Sequence, residues 1–273
     1  MFHSILWGMK LMDKLIGLNP VVLALMATLV TWFFTLLGSG VVVFFKKVNN
    51  LVMDMCLALS SGVMLSASYY SLLAPGISKA RELNQVPWVV ASAGFLCGAL
   101  FLCFSDLFIK KITKNSVYFS EKKRSILLII SITLHNIPEG LAVGVLFGSL
   151  AYDNSSTLLI SAIMFALGIA IQNFPEGAAV SLPLRRDGYS RRKSFFYGQL
   201  SGVVEPISGA IGALLVIKIK VILPFFLCFA AGAMVFVVVK ELIPECLMNK
   251  RKNLITLLLL IGFTVMMILD VAL

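Results

Sequence analysis

Eight long apolar runs, near residues 20–44, 52–73, 88–109, 125–150, 157–183, 195–217, 221–243 and 253–272, alternate with short polar stretches. A helix needs about 20 apolar residues to cross about 30 Å of hydrocarbon, so each run predicts a membrane-spanning helix. The polar remainder leaves no room for a soluble domain. The expected organisation is an external N-terminal segment (1–19) followed by a single eight-helix transmembrane domain (20–273). In the N-terminal segment Phe2, Ile5, Met9 and Ile16 recur at roughly helical spacing, interrupted by Lys10, Asp13 and Lys14. That pattern predicts a short amphipathic helix on the outer membrane surface rather than a cleaved signal.

Polar residues break the apolar pattern at two matching places. HNIPEG (135–140) lies in the fourth run and QNFPEG (172–177) in the fifth. On a helix His135, Asn136 and Glu139 point to one side, and Gln172, Asn173 and Glu176 repeat the spacing. Pro138 and Pro175 cannot donate to the carbonyls of Leu134 and Ile171, so each frees an acceptor at the level of the polar cluster. Glu205, followed by Pro206, stands in the middle of the sixth run.

A second internal similarity links the second run, SGVMLSASYYSLLAPG (61–76), to the seventh, AGAMVFVVVKELIPE (231–245). Both open on small-Gly-x-Met and carry a proline further on. Inverted repeats whose interrupted helices meet near the midplane are a common plan of secondary carriers. The expectation is an all-α membrane protein with eight transmembrane helices in a 3+2+3 inverted-repeat arrangement.

Composition agrees with this reading, and charge orients it. The chain of 273 residues is 59% hydrophobic and 13% charged, against about 25% charged in soluble domains. The formal net charge of +10 could suggest nucleic acid, but its distribution does not. Connections after spans 1, 3, 5 and 7 hold sixteen Lys and Arg, and the opposite side holds six, with Lys240 left inside span 7. The positive-inside rule puts the richer loops, chiefly about 110–124 and 185–194, in the cytoplasm and both termini outside it. No nucleic-acid partner is expected. Five cysteines in or at the ends of spans read as small apolar filler.

Glu139, Glu176 and Glu205 therefore lie at membrane depth in runs that hold no Lys or Arg. A charged side chain at a helix centre costs roughly 2.5–3.5 kcal/mol on insertion scales. Convergence on a divalent cation would neutralise the carboxylates, and imidazole with carboxylate and amide oxygens is a suitable ligand set.

These motifs resemble those of the ZIP (Zrt/Irt-like) divalent-metal transporters, most closely the GufA-like branch, over essentially the whole chain. The resemblance implies a secondary transporter in the plasma (inner) membrane that carries zinc into the cytoplasm, with cadmium, iron or manganese as further substrates. Spans 1, 4, 5 and 6 would move against 2, 3, 7 and 8. It also implies a homodimer and no organic cofactor. His135, Glu139, Gln172 and Glu176 match the primary metal ligands, with Met64 as a further ligand or pathway residue. Asn136, Asn173 and Glu205 match an adjoining second site that Glu139 and Glu176 can bridge. Glu241 matches a release-side position, Asp270 an entrance acid, and Asp106 and Glu245 weaker exit-side positions.

Two features depart from the family pattern. Asn173 stands where some relatives have Asp, so three carboxylates carry at most −3. One dication leaves −1 and two leave +1, which predicts one firmly bound ion and a second, weaker one. Lys240 stands beside Glu241 where relatives offer a histidine, and there it would snorkel or pair with Glu241. Two other function classes stay open on the residues alone. One is an intramembrane metal-dependent hydrolase, although HExxH is absent and the only other histidine is His3. The other is a gated metal-selective pore.

Overall fold

The computed structural model describes residues 15, 17–44, 50–114, 123–153, 155–248 and 250–271. The side chains of residues 50, 109–110, 112–114, 123–128, 131, 135 and 186 lie outside that description, as does nearly all of the expected amphipathic segment 1–19.

Among the described residues every regular element is helical. Helix α1 (Pro20–Phe44) starts on Asn19, whose side chain accepts the Val21 amide at 2.8 Å. Pro20 fills the first helical position, where its missing N–H is no loss. The second run is a continuous helix made of α2 (Asn50–Ala67), a wider π-helical turn π1 (Ser68–Leu73) and α3 (Ala74–Glu82). There follow α4 (Pro87–Lys114), α5 (Lys123–Ser149), α6 (Ser156–Arg186), α7 (Arg191–Leu200) and α8 (Val204–Lys218). The last elements are α9 (Leu223–Val237), a second π turn π2 (Val238–Leu242), α10 (Ile243–Leu247) and α11 (Lys252–Val271).

Seven of the eight predicted runs are helices long and apolar enough to span a bilayer among the described residues: Pro20–Phe44, Leu51–Glu82, Pro87–Phe108, Ser156–Arg185, Arg191–Lys218, Lys220–Leu247 and Lys252–Val271. The fourth run is the 27-residue helix α5. The chain is an integral, multi-pass membrane protein. Its surface pattern fits that solvent. On α1 the buried face carries Thr28, Thr31, Thr35 and Ser39, while Leu25, Met26, Leu29, Val30, Phe33 and Leu37 are exposed. Hydroxyls turned inward and hydrocarbon turned outward suit a lipid exterior, where every polar group must find its partner within the protein.

The interruptions fall elsewhere than the prolines of the hexapeptides suggest. Pro138 and Pro175 lie inside unbroken α5 and α6. Each removes one backbone bond, and packing against neighbouring helices carries the helix through. The sixth span is instead divided by a turn at 201–203 between α7 and α8. The second and seventh spans widen into the π turns, where the Ala74 amide bonds the Tyr69 carbonyl and the Ile243 amide bonds that of Val238, each five residues back. A π turn shifts the bonding register just before Pro75 and Pro244, so neither proline stops its helix.

The most extensive helix pairings are α1 with α6, α5 with α8, α4 with α9, and α2 with α11. Two glycines show how close some of them are. A Cβ on Gly62 would overlap the Leu259 backbone of α11, and one on Gly232 would overlap the Phe95 backbone of α4. On the basic side, 115–122 lies outside the described residues. The 185–194 stretch narrows to the turn 187–190, where Gly188 takes φ +90° and the Ser190 hydroxyl accepts the Lys193 amide at 3.3 Å to start α7. All five cysteines are free thiols.

Candidate metal centre

Six of the polar residues singled out in the sequence are buried together between α1, α5, α6 and the α7–α8 turn. Asn136, Glu139, Gln172, Asn173, Glu176 and Glu205 are each at most 5% exposed. The i, i+3 and i+4 spacing on α5 and α6 turns each motif to one side, and small residues let the helices close in. A Cβ on Gly140 would lie 2.5 Å from the Glu205 carbonyl oxygen, and one on Gly177 would overlap the Thr35 carbonyl on α1. No larger residue fits at either place.

The amides hold the cluster by their NH2 groups. Gln172 Nε2 donates to Glu139 Oε1 at 2.8 Å, and Asn136 Nδ2 donates to the Ser201 carbonyl at 2.9 Å. Asn173 Nδ2 lies 2.9 and 2.8 Å from the two oxygens of Glu205 and 3.2 Å from the Thr31 carbonyl. The Thr31 hydroxyl also donates to Glu205 Oε2. Glu205 sits in the first turn of α8, where unpaired amides and the helix dipole favour a carboxylate, and where Pro206 is tolerated.

With the donors used in this way, the oxygens are left over. Asn136 Oδ1, Glu139 Oε2, Gln172 Oε1, Asn173 Oδ1 and Glu176 Oε2 are buried and have no hydrogen-bond partner among the described residues. A buried acceptor left unpaired costs about 1–3 kcal/mol, so five in one cluster is a large uncompensated cost. All five are acceptors, so what they lack is a cation or a set of donors. Among the described residues no three His, Cys, Asp or Glu side chains close into a metal cage by themselves. Here acids alternate with amides, whose side-chain oxygens are buried beside the carboxylates.

The other candidate residues are placed as follows. His135 is on α5, one turn before Glu139, and its side chain lies outside the described residues. Met64 is buried in the main apolar core, as is Met234. Asp270, near the end of α11, accepts the Ser71 hydroxyl of π1 at 2.6 Å. Glu245 is exposed on α10. Glu241 is on π2, and Asp106 on α4 bonds Lys240 at 2.5 Å. Lys240 therefore has a closer partner than the adjacent Glu241, which lies at 4.0 Å.

Sequence reading missed the contribution of α1. Thr31 takes part in the cluster by both its hydroxyl and its carbonyl. The available signal was the hydroxyl stripe Thr28, Thr31, Thr35 and Ser39, spaced on one helical face of an otherwise apolar run.

The family model "ZIP Zinc transporter" matches residues 113–270. The chain is 38% identical to the zinc transporter ZIP11 of Xenopus tropicalis, over 94% of this chain and 99% of that one. It is 35% identical to human ZIP11 over the same shares, and 32% identical to the zinc transporter GufA of Myxococcus xanthus over 91% and 98%. From its matched length and its paired motifs alike, the chain belongs to the ZIP family of zinc transporters, in the GufA-like branch.

Proposed function

We propose that this protein carries Zn2+ across the membrane into the cytoplasm through a site between α5, α6 and α8. Family membership makes it a transporter and not an enzyme. The observation that carries the site assignment is the set of five buried, unpartnered oxygens on Asn136, Glu139, Gln172, Asn173 and Glu176. His135, Glu139, Gln172 and Glu176 are the proposed primary ligands of the transported ion. Asn136, Asn173 and Glu205 border a second, weaker position, because Glu205 already accepts from Asn173 and Thr31. Cadmium, iron and manganese are proposed as further substrates on the family resemblance alone.

The proposed architecture is eight transmembrane helices in a 3+2+3 inverted repeat. The packing is reciprocal in the way such a repeat requires. Pairing α1 with α6 mirrors α8 with α5, and pairing α2 with α11 mirrors α9 with α4. Each π turn begins six residues after its Gly, Gly62 or Gly232. The same four pairings fall within two groups, α1, α5, α6 and α7–α8 against α2, α4, α9 and α11. That grouping supports transport by one body moving against the other. Inward direction, external termini and a plasma (inner) membrane location rest on the sixteen-to-six charge asymmetry and the family resemblance. The homodimer rests on the resemblance alone.

The test is zinc uptake into proteoliposomes. Wild type should take up zinc saturably, and His135→Ala and Glu139→Gln/Glu176→Gln should abolish uptake. Wild-type rates in the double variant would remove the site assignment, and non-saturating flux would indicate a pore.

A further inference from the structure

The short helix α7 sorts its residues by face. Ser194 and Gly198 are buried, and a Cβ on Gly198 would lie 2.6 Å from Ser39 Oγ of α1 and 3.0 Å from Ser181 Cβ of α6. Away from that contact Arg192, Phe196 and Leu200, each four residues apart, are exposed, with Lys193 beside Arg192. On α8 the exposed residues before Lys218 are Ile207, Ile211 and Leu214. From α8 back to the start of α7 the outer face therefore passes from aliphatic to aromatic to cationic. That is the order of a bilayer's hydrocarbon, its aromatic interface and its headgroups.

Orienting a chain in the membrane needs only that Lys and Arg lie on one side. Here they are also gathered. Residues 185–193 hold five Lys and Arg against one acid, Asp187. The Arg185 guanidinium donates to the Tyr189 carbonyl at 2.8 Å, and the Tyr189 ring meets Tyr197 edge-on at 6.0 Å, so the turn folds back on α7. Arg191, Arg192 and Lys193 take part in no ion pair among the described residues. Unpaired cations next to exposed Phe196 suit an anion that is itself attached to hydrocarbon, and guanidinium groups match phosphate oxygens in geometry.

The other end of α7 enters the walls of the metal centre. Because the helix stops at Leu200, carbonyls at its end are open to side chains. The Gln199 carbonyl accepts Trp32 Nε1 of α1 at 3.0 Å, and the Ser201 carbonyl accepts Asn136 Nδ2 of α5 at 2.9 Å. Whatever holds the cationic end of α7 thus also bears on the centre.

We propose that Arg191, Arg192 and Lys193 bind the phosphate of an anionic phospholipid, and that this lipid fixes α7 where its carbonyls hold the metal centre. The inference rests on the transport reading above and adds a lipid requirement to it.

The experiment measures phosphatidylglycerol retained by the purified full-length protein in detergent, against phosphatidylcholine, by mass spectrometry of extracted lipid. Wild type should retain phosphatidylglycerol preferentially. Arg191→Gln/Arg192→Gln/Lys193→Gln, with folding checked by gel filtration and helical circular dichroism, should bind it roughly tenfold more weakly or worse. Lys250→Gln/Lys252→Gln, which removes cations from another basic connection, should retain it as wild type does. Zinc uptake by wild type should be faster in vesicles containing phosphatidylglycerol than in phosphatidylcholine alone, and the triple variant should not distinguish them. Glu139→Gln/Glu176→Gln should lose uptake and keep the lipid, so a failure of the central site and a failure of this proposal are read separately. Equal retention by wild type and the folded triple variant would overturn it, as would equal wild-type uptake in the two vesicles. Displacement of the lipid by soluble glycerol phosphate, or an equal loss in Lys250→Gln/Lys252→Gln, would overturn it too.

Discussion

The amide nitrogen of Asn173 lies within 2.9 Å of both carboxylate oxygens of Glu205, and its own side-chain oxygen has no partner among the described residues. A single side chain therefore secures one acid and presents a bare acceptor to the centre. The relationship explains how an amide serves at a position where a carboxylate would add charge. An aspartate could not donate to Glu205, and two neighbouring carboxylates would need a cation between them.

Asn173→Asp raises the cluster from three carboxylates to four. We expect equilibrium dialysis to show a second firmly bound Zn2+ in the variant and one in wild type. Without metal the variant should be less stable by about 1–3 kcal/mol, because a buried donor has become a repelling charge. Unchanged stoichiometry would count against the second position.

Thr31→Val keeps the shape of the side chain and removes the hydroxyl that reaches Glu205. Losing a hydrogen bond to a charged group costs about 1.5–3 kcal/mol. Thermal unfolding should accordingly show a loss of stability of that order in the variant. Thr31→Ser should restore it. Failure of serine to rescue would mean that packing on α1, and not the hydroxyl, matters.

Metal binding should appear as stability. A ligand at 100 times its Kd stabilises the native state by about 2.7 kcal/mol. Zinc should raise the Tm of wild type in detergent and leave Glu139→Gln/Glu176→Gln unmoved. Protons compete with metal for the same carboxylates, so the zinc-induced rise should shrink on acidification and grow on alkalinisation. A shift independent of pH would point to ligands other than Glu139 and Glu176.

Gly177→Ala places a methyl against the Thr35 carbonyl, whereas a methyl on Gly40 would meet only the Phe195 ring, at 3.9 Å. Overpacking a tight contact costs about 1–3 kcal/mol. Thermal unfolding should show Gly177→Ala markedly destabilised and Gly40→Ala close to wild type. Equal stability of the two would mean that α1 and α6 can separate without loss.

Much of this molecule could be read along the chain. The ends of the helical spans fall within a few residues of the apolar runs except where α3 and α10 continue past the π turns. Crossing length and hydrocarbon content are properties of a segment by itself, which is why they survive without neighbours. The spacing of HNIPEG and QNFPEG is equally local, since helical geometry alone puts their polar groups on one side. Partner choice is not local. Lys240 bonds Asp106 on another helix more closely than the Glu241 beside it, and Thr31 finds Glu205 174 residues away. Those pairings depend on how α1, α4, π2 and α8 pack, and the number of possible partners for a polar side chain grows with every helix brought near. The unbroken helices at Pro138 and Pro175 have the same origin, because neighbouring helices, and not proline's own preference, settle whether a span continues.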